Sequence, residues 1–595
     1  MSGRPTSNVE LAHGPAGAVA LPGGGGSSGL KILDVFGIRA AVTGAGIFLA
    51  LLTIVPLAIL LTGSLRPDGL PSGSGWTLEH YQTVWGNLRY WKLAANTLVF
   101  AAGSTLLALV LGATLSWLLE RTDLPARNLF RALIVMPMAT PPLLLAIGWS
   151  LVLAPKIGIV SAALHPLIGP VENYFNIYSL GGAIFVQALA FVPTSVLMLS
   201  PAIRALDPSL EEAALSAGAG RWQILWRIGL PILTPALLSV ITIQLIIGML
   251  AFDVPAVIGI PGRVDLMSIE IFRLMTPASG FPEYGAAAAI NTMYLLLLVV
   301  SLIVYRNTIK QGARYATITG KGYRPAQVAL GKWRGAAVTF ASLYFVLAVV
   351  LPFLALLWAS VIPYFAGFST DMLKRASFRA YGDILASPRL HEAALNSALV
   401  AVTATVALVL IALVTAWIVL KSKVRKAWML DVLAMIPLGV PHLMIGVALV
   451  FAAFTVRSVP IYGTVWLIAI GHIIAYLPVA SRMMQSGLLQ LTGELEEAAS
   501  VAGASWLSVM GRIVLPLLVP AIVAMAIWVL VHSVREFSIA VMLQSGRNSV
   551  LSTILFNFWE TGSPEKAAAL AVLLMLFLLA LTALFARPSR RGMEL

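Results

Sequence analysis

Apolar residues in this chain gather into runs about as long as a membrane crossing, separated by short polar stretches. Leu93–Leu119, Ile232–Leu250 and Ala567–Ala586 are the clearest, each reaching the ~20 residues that carry a helix through a ~30 Å hydrocarbon layer. In that layer the backbone must satisfy its own hydrogen bonds, so long apolar runs predict helices. Spans are predicted near 39–62, 93–119, 130–154, 180–202, 231–250 and 286–305. A second set follows near 336–360, 394–420, 428–454, 461–485, 515–535 and 567–586, about twelve in all. The fold class is an all-α polytopic membrane protein.

Composition agrees with the pattern. Of 595 residues 59% are hydrophobic and 11% charged, and the mean hydropathy is +0.91. The net charge of +14 could suggest nucleic acid. Its placement beside apolar spans points instead to anionic lipid and membrane topology. With no cysteine, disulfides, thiolate metal sites and cysteine nucleophiles are excluded.

The stretch 1–38, with Gly23–Gly26 in a row, lacks the apolar content to order itself and is expected as a disordered tail, not a cleavable signal peptide. Residues 39–305 and 336–587 are expected as two halves, 306–335 as a basic linker and 588–595 as a C-terminal tail. Basic residues cluster at Arg121, Arg127 and Arg131, at Lys421, Lys423, Arg425 and Lys426, along the linker from Arg306 to Arg334, and at Arg587, Arg590 and Arg591. With an even number of spans per half, all four clusters and both termini fall on the cytoplasmic side.

The second half repeats the first. Tyr81, Asn96, Trp117, Pro137 and Pro141 return at an offset of 300 as Tyr381, Asn396, Trp417, Pro437 and Pro441. Pro193, Glu212, Gly218, Pro231, Pro235 and Phe252 return at 285 as Pro478, Glu497, Gly503, Pro516, Pro520 and Phe537. The difference assigns about 15 extra residues to the first half, around Lys156–Tyr178. Even span counts make the repeats parallel, with a path on the pseudo-twofold axis.

One motif occurs twice, between spans four and five of each half. Leu210–Pro231 reads LEEAALSAGAGRWQILWRIGLP and Leu495–Pro516 reads LEEAASVAGASWLSVMGRIVLP. The pattern predicts a short helix, a break and then the next span. Asp207, Pro208 and Ser209 supply a helix start in the first copy; Thr492 and Gly493 are weaker starters in the second. Ala213, Ala214, Ala498 and Ala499 leave room for another protein's surface. Gly218 and Gly503 permit a turn that a β-carbon would resist, and Pro231 and Pro516 suit a helix's first turn.

These stretches resemble the EAA loops of type I ATP-binding-cassette importer permeases. The resemblance covers nearly the whole chain and is nearest to the fused two-half ferric-iron permeases, with related permeases for 2-aminoethylphosphonate, thiamine and polyamines. The segment Phe252–Phe272 resembles the external loop of the ferric-iron and aminoethylphosphonate members. The family implies ATPase coupling through Glu211, Glu212, Ala213, Ala214, Gly218 and Pro231, and through Glu496, Glu497, Ala498, Ala499, Gly503 and Pro516. It implies two ATP-binding-cassette ATPase subunits on the cytoplasmic face, an external or periplasmic substrate-binding protein, membrane lipid as surroundings, and a multi-pass place in the bacterial inner membrane. No phosphate loop G-x-x-x-x-G-K-[ST] is present, so ATP and Mg belong on the partner subunits. This chain is expected to bind no cofactor and to be no enzyme.

Phe252, Asp253, Glu536 and Phe537, with Gln244 and His532, are candidates for a substrate path or outer gate. The competing reading is charge meeting water or a neighbouring helix. Asn96 and Asn396 are expected to satisfy helix-start donors. Gln187, Gln244, His442, His472 and His532 are more often expected to make interhelical hydrogen bonds, and no metal site is expected, since ferric iron prefers oxygen donors. The alternative class, an ion-coupled secondary transporter, would need buried ionisable groups that the spans supply sparsely, and a channel or structural role leaves the duplicated loop unexplained.

Overall fold

The computed structural model describes residues 27–278, 280–312, 328–422, 424–456, 458–491 and 494–591. Helix α1, Ser27–Ser64, starts directly after the glycine run. Residues 27–38 of the expected tail are therefore helical, because Leu30, Ile32, Leu33 and Phe36 let an existing helix propagate without a new nucleus; residues 1–26 lie outside the described set.

The first half continues with α2 (Leu88–Arg121), α3 (Arg127–Val135), α4 (Pro142–Leu153), α5 (Ile159–Ile168) and α6 (Leu180–Arg204). Then come α7 (Pro208–Ser216), α8 (Leu230–Leu250), α9 (Met267–Met275) and α10 (Tyr284–Gly312). The second half comprises α11 (Arg334–Phe345), α12 (Leu351–Val361), α13 (Pro388–Lys421), α14 (Trp428–Met435) and α15 (His442–Thr455). It ends with α16 (Val465–Leu489), α17 (Glu494–Val501), α18 (Leu515–Arg535), α19 (Ser538–Leu543), α20 (Leu551–Glu560) and α21 (Pro564–Arg591). Of the expected linker, 306–312 continues α10, Arg334 starts α11, and 313–327 lie outside the described residues; α21 likewise runs into the expected C-terminal tail.

Nine helices among the described residues are long and apolar enough to cross a membrane, and two bent pairs bring the number to eleven. The sixth expected span is α10, apolar from Tyr284 to Val300. The third and ninth spans, expected as single helices, are broken. Helices α14 and α15 meet at 107°, and α3 and α4 break at the matching place. The repeated prolines are the cause. Each pair is bridged by a short 3₁₀ turn holding Pro137 or Pro437. Thr140 and Val440, ahead of Pro141 and Pro441, are pushed to extended backbone with ψ of 125° and 124°, where a helix cannot continue.

Each half packs α2 on α6 and α8, or α13 on α16 and α18. Across the halves the first spans are exchanged: α1 lies on α14 and α15, and α12 on α4. Close approach relies on small residues, as expected where lipid supplies no hydrophobic drive between helices. A β-carbon on Gly148 of α4 would stand 3.0 Å from the Pro352 carbonyl oxygen of α12. The repeat extends to polar contacts: Ser64 Oγ meets Tyr81 Oη at 2.7 Å, and Ser360 Oγ meets Tyr381 Oη at 2.8 Å. The extra residues of the first half form α5 and the turn Val171–Asn173, where the second half passes from Thr455 to Val465 by a short loop.

Asn96 and Asn396 do not sit at helix starts. Helices α2 and α13 begin earlier, at Leu88 and Pro388, and Asn87 caps the first by accepting from the Arg89 amide. Asn96 and Asn396 instead donate from mid-helix to the carbonyls of Asp265 and Ser549, each at 3.0 Å.

Gly148→Val should destabilise the protein by about 1–3 kcal/mol through overpacking, lowering its thermal midpoint in detergent. Gly335→Ala, with open space around the built β-carbon, should leave that midpoint unchanged; equal midpoints for both variants would disprove the tight inter-half contact.

Candidate functional site: two repeated loops and an inter-half seam

The first loop folds as its residues dictate. Asp207 accepts the Ser209 amide at 2.9 Å and Pro208 opens α7. The helix ends at Gly218, whose φ of 83° is left-handed; Gly503 ends the second copy at 82°. A β-carbon at either glycine would meet no atom within 4 Å, so the backbone angle and not crowding selects glycine. Ala213 and Ala498 are exposed, Ala214 and Ala499 half-buried. Thr492 and Gly493 lie outside the described residues, as does the side chain of Glu497.

Pro231 and Pro516 stand in the first turns of α8 and α18, but the helices do not begin there. Short helices Arg221–Ile224 and Trp506–Val509 lead through π turns, Leu225–Gly229 and Met510–Val514, into the spans. A π turn widens the helix just ahead of a proline that cannot donate, easing the ring past the preceding carbonyls.

The two glutamates of the first copy face differently. Glu211 pairs with Arg121, the last residue of α2, whose side chain is fully buried. Arg121 also donates to the Leu206 carbonyl at 3.0 Å and lies over the Trp117 ring. Glu212 is exposed. In the second copy Glu496 accepts from Lys421, the last residue of α13, at 2.8 Å. Beside Arg121, Glu120 is held by Arg131 at 2.9 Å and Arg204 at 3.0 Å.

Helices α8 and α18 carry the chain from these loops to a seam between the halves. At ~1.5 Å per residue each is about 30 Å long, so loops and seam stand roughly one bilayer core apart. At the seam the Phe252 and Phe537 rings stack, 5.6 Å between centroids and 7° between planes. Phe272 and Phe556 flank them at 5.3 and 4.7 Å. Ser538 donates to Asp253 at 3.1 Å, and Arg535 donates to the Met138 carbonyl at 2.6 Å. Glu536 accepts the amides of Ile539 and Ala540, capping α19, and lies 3.3 Å from His442 Nδ1 and 3.5 Å from His472 Nε2.

Four of the six candidate path residues, Phe252, Asp253, Glu536 and Phe537, therefore come together. Gln244 does not; it is buried within the first half, donating to the Phe191 carbonyl at 3.0 Å and Ser195 Oγ at 2.7 Å. His532 lies beside the seam, stacked on Trp528 at 4.0 Å, with its backbone carbonyl accepting from Tyr476 Oη at 2.9 Å. His472 shares a 2.6 Å hydrogen bond with Ser533 on the neighbouring helix. Among the described residues no group of three His, Asp or Glu is arranged to hold a metal ion. Sequence reasoning took Arg121 and Lys421 for topological charge alone; their shared offset of 300 was the signal that they occupy one site twice.

The family model described as "Binding-protein-dependent transport system inner membrane component" matches residues 108–311 and again 408–591. The ferric transport system permease protein FbpB of Actinobacillus pleuropneumoniae is 26% identical over 83% of this chain and 70% of its own. A probable ABC transporter permease protein, y4fN of Sinorhizobium fredii, is 25% identical over 83% of this chain and 87% of its own. The molybdenum transport system permease protein ModB of Escherichia coli is 26% identical over 36% of this chain and 91% of its own.

A double-mutant cycle with Phe252→Leu and Phe537→Leu should give a coupling of about 0.5–1.5 kcal/mol from thermal unfolding. Strict additivity would show that the two rings do not stabilise each other.

Proposed function

Because the chain belongs to the family of binding-protein-dependent transport system inner membrane components, and is a multi-pass translocation subunit of that membrane, we propose that it imports ferric iron. Two ATPase subunits drive it, an external binding protein delivers the cargo, and both termini lie in the cytoplasm. ATP and Mg are held by the partner ATPases.

The observation that carries this reading is the duplicated loop. Each copy presents a short helix closed by a left-handed glycine, and each is tied through a glutamate to the end of a long spanning helix. Such a helix can be pushed or pulled as a unit by a partner that binds it. The loops stand at one end of α8 and α18 and the closed seam at the other. Closure of an ATPase pair draws α7 and α17 together, and the halves rotate so that the Phe252–Phe537 contact parts. Asp253 and Glu536 then stand at the opening as carboxylates able to attract a cation. Ferric cargo is supported by the name of the Actinobacillus relative.

Uptake of labelled ferric iron, 2-aminoethylphosphonate, putrescine and thiamine should be compared in a strain lacking this chain and in the same strain with it restored. Ferric uptake alone should return; return of another substrate instead would keep the importer and discard iron. The double change Glu212→Lys and Glu497→Lys should abolish ATP-driven uptake while the chain still reaches the membrane. Undiminished uptake would remove the coupling role from these loops.

A further inference from the structure

The two glutamates of the first repeated loop look interchangeable in sequence, but the fold separates them. Glu211 and Glu496 turn inward to a basic residue that ends a 34-residue helix. Glu212 points away into the open. Arg121 is more than a single contact. Its guanidinium bridges Glu211 to the Leu206 carbonyl, which precedes α7, so it grips both sides of that helix's start. Its backbone carbonyl accepts the Val328 amide at 2.8 Å, and the neighbouring Asp123 carboxylate accepts the Leu330 amide at 2.7 Å. The end of the linker between halves is thus fastened to the same point.

We propose that Arg121 and Lys421 are positioning residues that fix the two coupling helices to the spanning helices through Glu211 and Glu496, leaving Glu212 to the ATPase. The two clamps are unequal. The difference lies on the basic side: Arg121 is fully buried and Lys421 about a quarter exposed, while Glu211 and Glu496 are each about a quarter exposed. A fully buried cation that loses its partner is left uncompensated, while water covers more of the loss where both members of a pair are partly exposed. The first coupling helix is therefore the rigid one and the second the compliant one. This proposal rests on the importer reading for its consequence, but its geometry can be tested without it.

The chain has no cysteine, so one spin label can be placed at Leu215→Cys on α7 or Val501→Cys on α17, both exposed positions, in the full chain in lipid nanodiscs. Arg121→Ala should raise label mobility at 215, and Lys421→Ala should raise it less at 501. The swap Arg121→Glu with Glu211→Arg should restore mobility at 215 toward the parent value. Unchanged mobility at 215 in Arg121→Ala, or a swap no better than the single change, overturns the proposal. If Arg121→Ala does not accumulate, Glu211→Gln supplies the same reading from the exposed side.

A second arm uses proteoliposomes with the co-expressed ATPase subunit and measures ATP hydrolysed per ferric ion moved. Glu211→Gln should raise that ratio about 5-fold or more, and Arg121→Lys should keep it near the parent value. Hydrolysis and uptake falling in proportion would overturn the coupling consequence. The label arm needs neither ATPase nor iron, so failure of the importer reading leaves its outcome intact.

Discussion

The structure depends on the exchange of first spans between halves. Helix α1 of the first half lies on α14 and α15 of the second, and α12 of the second lies on α4 of the first. Beyond it the halves meet along the seam and at smaller contacts such as Tyr284 against Phe451 and Phe454. Lipid is as apolar as the side chains, so the exchange gains little from burial as such and must rely on close fit. Gly148 beneath Pro352 and Gly63 beside Phe451 are two places where that fit is close. The breaks at Pro141 and Pro441 serve the same end, since a straight third span could not turn α4 or α15 toward the other half's first helix.

From that frame the two functional regions follow. Helices α8 and α18 are continuous from the loops to the seam, and the π turns before Pro231 and Pro516 keep them so despite the missing donors. The loops are tied to α2 and α13 by Arg121 and Lys421, and these long helices reach the seam level at their other ends through Asn96 and Asn396. Each half is thereby held by polar contacts toward both ends of its 34-residue helix.

Much of this was legible beforehand. The number of spans, the two parallel repeats, the extra segment near Lys156–Tyr178 and both EAA-like loops could be read from apolar run lengths and a constant offset. The pairing of Phe252 with Phe537 was foreshadowed because one offset relates them. Gln244 takes the interhelical hydrogen bond expected of such residues and not a place in the path, because a polar residue in an apolar span says only that it faces protein, and its partner is Ser195 within its own half. Asn96 was misplaced because helix starts are poorly marked where amphipathic residues precede an apolar run, and α2 begins at Leu88.

The class, the twofold repeat and the duplicated loops are legible from residues alone, because these depend on local quantities: hydrophobic length, proline and glycine positions, and spacing that recurs. Which helices exchange, that the third spans break where proline forces extended backbone, and that Glu211 turns inward to Arg121 while Glu212 is exposed are settled by long-range packing. Neighbouring residues on a helix point about 100° apart, so two identical letters in a row face different surroundings. What those surroundings are is set by helices distant in the chain.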